Sequence, residues 1–247
     1  MQKYYATNKV YKKQVKAYAK QIKKYPLQDS GLSTTFVGTT NFNMRKPNFV
    51  IIHHTAQNSC DQTLKTFTLT RTEVSAHYVI CRQGNVVHML NNYLRAWHGG
   101  AAKWGNVTDI NSASIGIELD NNGTEPFSES QMQSLLNVLA YLKKAYSIPT
   151  ANFIGHADIA PQRKNDPSKY FNWQMLAQKG FGHWYDTTKV TLPLEYNYKT
   201  ALRVIGYNTA KEGAAIQAFK LHFNSADTTA TLTNTDKKIL IDLVQKY

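Results

Sequence analysis

Phe49-Val50-Ile51-Ile52-His53-His54 is the stretch on which the reading of this chain turns. Four consecutive apolar β-formers show no alternation, which is the pattern of a strand buried on both faces. The run ends in two histidines, so ionisable groups are delivered at the strand's C-terminal end. Ser114-Ile115-Gly116-Ile117-Glu118-Leu119 repeats the pattern with a carboxylate inside it. A carboxylate in an apolar strand is costly to bury unless paired or functional, and a solvent-facing glutamate at the strand end is the competing reading.

Between these runs, 61–72 suits a helix, and 76–81 and 86–90 flank a hairpin turn at Arg82-Gln83-Gly84-Asn85. Ser128 caps a long helix whose apolar residues Met132, Leu135, Leu136, Leu139 and Leu142 share a face, and Gln131 is placed to complete a capping box. A last short strand is expected over 151–154. Strands and helices in this order predict an α/β domain with a central sheet. Outside it, 7–24 reads as a lysine-rich helix with Val10, Val15, Tyr18 and Ile22 roughly on one face. Packing as an extension is favoured over lying on a membrane. Residues 28–47 read as an irregular connector. Composition shifts near 186–192, and helical patterns follow over 211–223 and 234–246.

The chain has 247 residues, 42% hydrophobic and 18% charged, which is enough for one large domain or one domain with a small second one. Its 29 basic against 16 acidic residues, a net +13, favour a polyanionic partner without choosing one. No helix-turn-helix, zinc-finger or RNA-binding motif supports a nucleic-acid role. No run reaches the roughly 20 apolar residues of a membrane span. The polar N-terminus carries no visible export signal, which taken alone leans to the cytoplasm unless Met1 stands in for a removed signal. Cys60 and Cys81 are too few for a disulfide scaffold, and two buried thiols are expected over one bridge.

Eight histidines are scattered along the chain. His53 ends the first strand, and His156 follows Asn152-Phe153-Ile154-Gly155, again a strand end. Asp166 lies ten positions later, past a proline-containing loop. Two imidazoles and a carboxylate converging from strand ends and a loop suit a catalytic zinc site with one open position. Scattered histidines are more often structural, so chemistry alone leaves both readings standing. Arg163 and Lys164, beside that loop, are ordinary surface cations or stabilisers of a developing oxyanion.

Five blocks in order carry a resemblance: Val50-Ile51-Ile52-His53-His54-Thr55-Ala56, Ser75-Ala76-His77-Tyr78-Val79-Ile80, Arg95-Ala96-Trp97-His98-Gly99-Gly100, Ser114–Leu119, and Gly155-His156-Ala157-Asp158-Ile159-Ala160-Pro161-Gln162-Arg163-Lys164-Asn165-Asp166-Pro167. Over about 48–186 the chain resembles the type 2 N-acetylmuramoyl-L-alanine amidases, whose fold is shared with peptidoglycan recognition proteins, and within them the AmiD and AmpD branch. The resemblance implies a mixed sheet flanked by helices. It implies one zinc held by His53, His156 and Asp166, Glu118 as general base and Lys164 steadying the transition state. His98, Trp97 and Arg163 would line the substrate groove, and His54 and His77 would be structural. Some members carry a cysteine as third ligand and a catalytic tyrosine where this chain has Ala76; Asp166 suits the other branch.

The implied partitioning is 1–47 helix and connector, 48–186 zinc amidase, and 193–247 a small helical domain weakly similar to peptidoglycan-binding domains. The implied substrate is peptidoglycan or muropeptides, cut between N-acetylmuramic acid and L-alanine by a monomer. A non-catalytic recognition protein and a zinc peptidase acting on the stem peptide are the rivals. Periplasm or cell envelope is the implied location, with an outer-membrane lipoprotein and a cytoplasmic recycling enzyme as variants.

Overall fold

The computed structural model describes residues 4–24 and 37–247; part of the expected connector, 28–36, lies outside them. Two compact units divide at Met44. In the first, helix α1 (Tyr5–Ile22) carries no acidic residue in its first turn and buries none of its side chains. Its weak apolar face supplies little burial to drive packing. Among the described residues no helix is long and apolar enough to cross a membrane.

The second unit, Arg45 to Tyr247, is built on a five-stranded sheet. Its strands are β1 (Phe49–His54), β2 (Tyr78–Ile80), β3 (Val86–His88), β4 (Ser114–Leu119) and β5 (Phe153–Gly155), in the order β3-β2-β4-β1-β5. Pairings are parallel except between β2 and β3, the expected hairpin. β1 is an interior strand, paired with β4 on one side and β5 on the other, and its unbroken apolar run reflects that both of its faces are covered. Val50 and Ile52 join Ile115, Ile117, Leu119 and the helix α4 (Glu129–Tyr146) in one core. Phe49 and Ile51 face the other way, into a second core.

That second core is completed from the far end of the chain. Helices α7 (Tyr198–Ile205), α8 (Glu212–Phe223) and α9 (Asn234–Val244) contribute Leu202, Ile205, Phe219, Phe223, Leu240 and Leu243. The division expected at 186–193 thus falls inside one compact unit. α7 had no forecast; its eight residues are too short for a strong periodic signal.

Two local expectations are corrected. Ser128 caps α4 by accepting from the Gln131 amide N–H, but the Gln131 side chain does not close a capping box. It is buried, and its amide donates to the carbonyls of Ile80 and Asp120. Satisfying two carbonyls at strand ends takes precedence over a solvent-side cap. Cys60 and Cys81 form a disulfide, with Cα atoms 5.3 Å apart. Helix α2 (Cys60–Phe67) starts beside the end of β2, and this places the two residues within bridging range.

Candidate metal and catalytic site

Period-two alternation decides which side chains meet. Phe49, Ile51 and His53 point to one face of β1, while His54 points to the other. β1 and β4 pair in parallel with Ile51 opposite Gly116 and His53 opposite Glu118. The apolar part of this face is covered by the C-terminal helices, and the strand ends stay open. There His53 and Glu118 stand side by side. His156 follows β5 directly and opens the four-residue helix α5 (His156–Ile159). The return loop brings Asp166 back against it, fixed by the Ala157 N–H donating to the Asp166 carbonyl at 2.8 Å.

Three atoms converge. His53 Nδ1 and His156 Nδ1 are 2.9 Å apart, and each lies 3.1 Å from Asp166 Oδ2. All three residues are buried. Zinc with bonds of about 2.0–2.1 Å in tetrahedral geometry would separate its ligand atoms by roughly 3.3 Å. The triangle is therefore close to one face of such a tetrahedron, and its N, N, O donor set suits zinc. Among the described residues this is the one such cluster that could hold a metal ion.

The electrostatics agree. Burial, reinforced by the neighbouring His156, lowers the His53 pKa to about 4, so its imidazole is neutral, as a metal ligand must be. Burial works against the Asp166 charge, but the flanking His156 and His53 outweigh it and hold the carboxyl well below its usual range. Glu118 is pushed up to about 8 by burial and then by Asp166, with Lys164 opposing. Its Oε2 is enclosed without a hydrogen-bond partner. A buried carboxylate oxygen with no hydrogen-bond partner beside this donor set fits a site able to hold a cation.

The cleft over these groups is lined also by Trp97, Arg163 and Lys164. Trp97 is half exposed. Lys164 is exposed at the rim. Arg163 spends its Nη2 on the carbonyls of Gly99 and Ala101, at 2.8 and 2.9 Å, so it clamps the wall of the cleft. His98 lines the same cleft at its floor. It is buried, with Nδ1 3.1 Å from His53 Nε2 and Nε2 3.1 Å from Ser114 Oγ, which leaves no ring nitrogen for a ligand. His54 accepts from the Ser168 N–H on the opposite face, and His77 accepts from the Gly116 N–H; both are structural in their contacts.

Sequence reasoning missed a second network behind His156. Asp158 accepts from the Gly155 N–H at 2.7 Å and from the Tyr207 hydroxyl at 2.7 Å, and lies 2.8 Å from His222 Nδ1. The His222 ring is stacked against Trp173 at 3.9 Å and Phe223 at 4.2 Å. His222 stands in no recognisable motif. A buried aspartate in α5 was the available signal, since such a group must find partners.

Comparison with known proteins gives the same picture. The chain is 37% identical over 161 residues to N-acetylmuramoyl-L-alanine amidase AmiD of Escherichia coli, covering 59% of this chain and 57% of that one. It is 38% identical over 102 residues to 1,6-anhydro-N-acetylmuramyl-L-alanine amidase AmpD of Haemophilus influenzae, covering 41% and 55%. It thus spans little more than half the length of these relatives. Among solved structures, E. coli AmiD in complex with the substrate anhydro-N-acetylmuramic acid-L-Ala-D-gamma-Glu-L-Lys superimposes with a TM-score of 0.74 at 28% identity, over 85% of this chain and 93% of that one. AmpDH3 of Pseudomonas aeruginosa gives 0.76 at 26% identity, over 87% and 97%. The profile of the N-acetylmuramoyl-L-alanine amidase family (Amidase_2) matches residues 43–169, over half of the sequence, and the chain belongs to that family.

Proposed function

We propose that the protein is a zinc-dependent amidase that hydrolyses the bond between N-acetylmuramic acid and L-alanine in peptidoglycan or its fragments. The observation that carries this reading is the meeting of His53 Nδ1, His156 Nδ1 and Asp166 Oδ2 within 3.1 Å, beside Glu118 on the neighbouring strand. His53, His156 and Asp166 would hold the metal. Bound there, zinc supplies a Lewis acid that brings the pKa of water toward about 7 and polarises a carbonyl.

The remaining steps belong to the chain's own groups. Glu118 accepts the proton of the attacking water and later hands it to the departing L-alanine amine. Its raised pKa reflects burial beside the negative Asp166; positive charge between the ligands reverses the nearer influence and returns it toward a proton-accepting range. Lys164 at the rim faces the oxyanion as charge develops on the scissile carbonyl. Trp97 offers a flat surface for the sugar or stem peptide, and Arg163 keeps the cleft wall in place. An extracytoplasmic location is supported by the Cys60–Cys81 disulfide, which suits an oxidising compartment.

Digestion of purified muropeptides with and without a chelator, read by mass spectrometry, tests the proposal. The expected result is release of free stem peptides beginning at L-alanine, abolished by the chelator and restored by zinc. Capture of muropeptide without cleavage in the zinc-loaded protein would replace the amidase by a recognition protein. Cuts within the stem peptide would replace it by a peptidase.

A further inference from the structure

The loop Trp97-His98-Gly99 reaches both ligand histidines from behind, and its hydrogen bonds have only one consistent direction. Ser114 Oγ lies 2.6 Å from the Ile110 carbonyl, which can only accept, so the hydroxyl hydrogen goes there. Ser114 Oγ must then accept from His98, and His98 carries its hydrogen on Nε2, 3.1 Å away. His98 Nδ1 is left as an acceptor, and 3.1 Å from it is His53 Nε2, which must donate. His53 Nδ1 is thereby left with a bare lone pair aimed at His156 and Asp166, so that the relay, pulling the hydrogen to Nε2, competes with Asp166 Oδ2, which would draw it to Nδ1. The next residue does the same for the other ligand. The Gly99 carbonyl lies 3.2 Å from His156 Nε2, takes its hydrogen, and leaves His156 Nδ1 bare.

We propose that His98 is a positioning residue for the metal centre: with Ser114 and the Ile110 carbonyl it forms a relay that locks His53 in the tautomer that presents Nδ1 to zinc. The inference rests on the zinc reading above. Two further features are built around the relay. The Asn111 side-chain oxygen accepts from the backbone N–H groups of both His98 and Gly99, at 3.1 and 2.8 Å, which fixes the loop. Gly116 sits in the middle of β4, where a glycine weakens a strand. A Cβ there would come within 2.4 Å of the His98 ring, so the missing side chain is the space that the ring occupies. A ligand histidine ordinarily donates its second nitrogen to a carboxylate, a carbonyl or water. Here a second neutral imidazole takes that part, and it adds no negative charge behind the metal.

The test uses two variants of the full chain, His98→Phe, which keeps a ring over Gly116, and Ser114→Ala, which removes only the hydroxyl. Histidine ¹⁵N spectra of the metal-free protein report the tautomer, and competition with a chromogenic chelator reports zinc affinity. In the unaltered protein the His53 hydrogen is expected on Nε2. In His98→Phe both tautomers should appear, with zinc affinity reduced about 10–100-fold, the usual scale for such partners. Ser114→Ala should shift both readouts in the same direction by less. His53 carrying its hydrogen on Nδ1 in the unaltered protein would overturn the proposal. So would variants that bind zinc within twofold of it. Should the unaltered protein bind no zinc at all, the zinc reading fails, while the tautomer spectra still decide the relay. If His98→Phe does not fold, Ser114→Ala carries the test alone.

Discussion

The two histidines proposed as metal ligands occupy similar positions at the ends of neighbouring parallel strands, yet they are supported differently. His53 is placed by sheet register and backed by groups that lie before or within β4: His98, Ser114 and Gly116. His156 is backed by the Gly99 carbonyl, and the short helix that it opens is anchored through Asp158 to Tyr207 and His222, far along the chain. One support is local to the sheet and the other spans the whole compact unit. A metal site built this way can lose its geometry from two independent directions, and the consequences differ: failure on the His53 side costs ligand orientation, while failure on the His156 side also costs packing.

The largest expected effect leaves both supports intact. Glu118→Gln should reduce turnover by about 10²–10⁴-fold, the usual contribution of a general base, while zinc stays bound in equilibrium dialysis. Loss of zinc together with turnover would make Glu118 part of the ligand support. Next, Asp158→Ala strips partners from the Gly155 N–H, the Tyr207 hydroxyl and the His222 ring in a buried setting. Destabilisation on the order of 3 kcal/mol is expected in denaturant titration, accompanied by weaker zinc binding. A stable variant with normal zinc affinity would erase the distinction between the two sides.

A pH measurement sharpens the same contrast. The Glu118 pKa rises in the folded, metal-free protein from 4.5 to about 8. For a carboxyl raised on folding, the stabilising contribution is full below the unfolded value and is lost as pH climbs through the folded one. The metal-free protein should therefore lose stability between about pH 5 and pH 8, and Glu118→Gln should recover on the order of 2 kcal/mol at pH 8. Zinc should flatten the dependence. The smallest effect is expected from Gly116→Ala, which displaces the His98 ring: zinc affinity about tenfold weaker, with the β4 strand still formed by circular dichroism.

Legibility in the sequence follows the same division. β1 and β4 stood out because strands buried on both faces leave unbroken apolar runs, and α4 because its apolar spacing and Ser128 cap agree. His53, His156 and Asp166 were candidates because each ends a strand or follows one across a short loop, but position alone left a structural reading open, and the family resemblance singled them out. The supports were not. His98 meets Ser114 sixteen residues away and Asp158 meets His222 sixty-four away, and no local pattern marks such pairs. Gly116 did carry a trace of its role, since a glycine inside an apolar strand announces that something approaches closely. The disulfide was missed for a related reason: with only two cysteines, pairing depends on where α2 docks, which composition does not encode.

The grip of the C-terminal helices on Asp158 bears on how such a chain can be shuffled by recombination. A crossover at 186–193 that brought in a foreign tail would remove Tyr207 and His222 and leave Asp158 without them, along with the bared Phe49 and Ile51 face of the sheet. Within this chain the tail and the sheet therefore hold together as one unit. Exchange between relatives would survive only where the incoming helices bring a hydroxyl and an imidazole to the same two carboxylate oxygens.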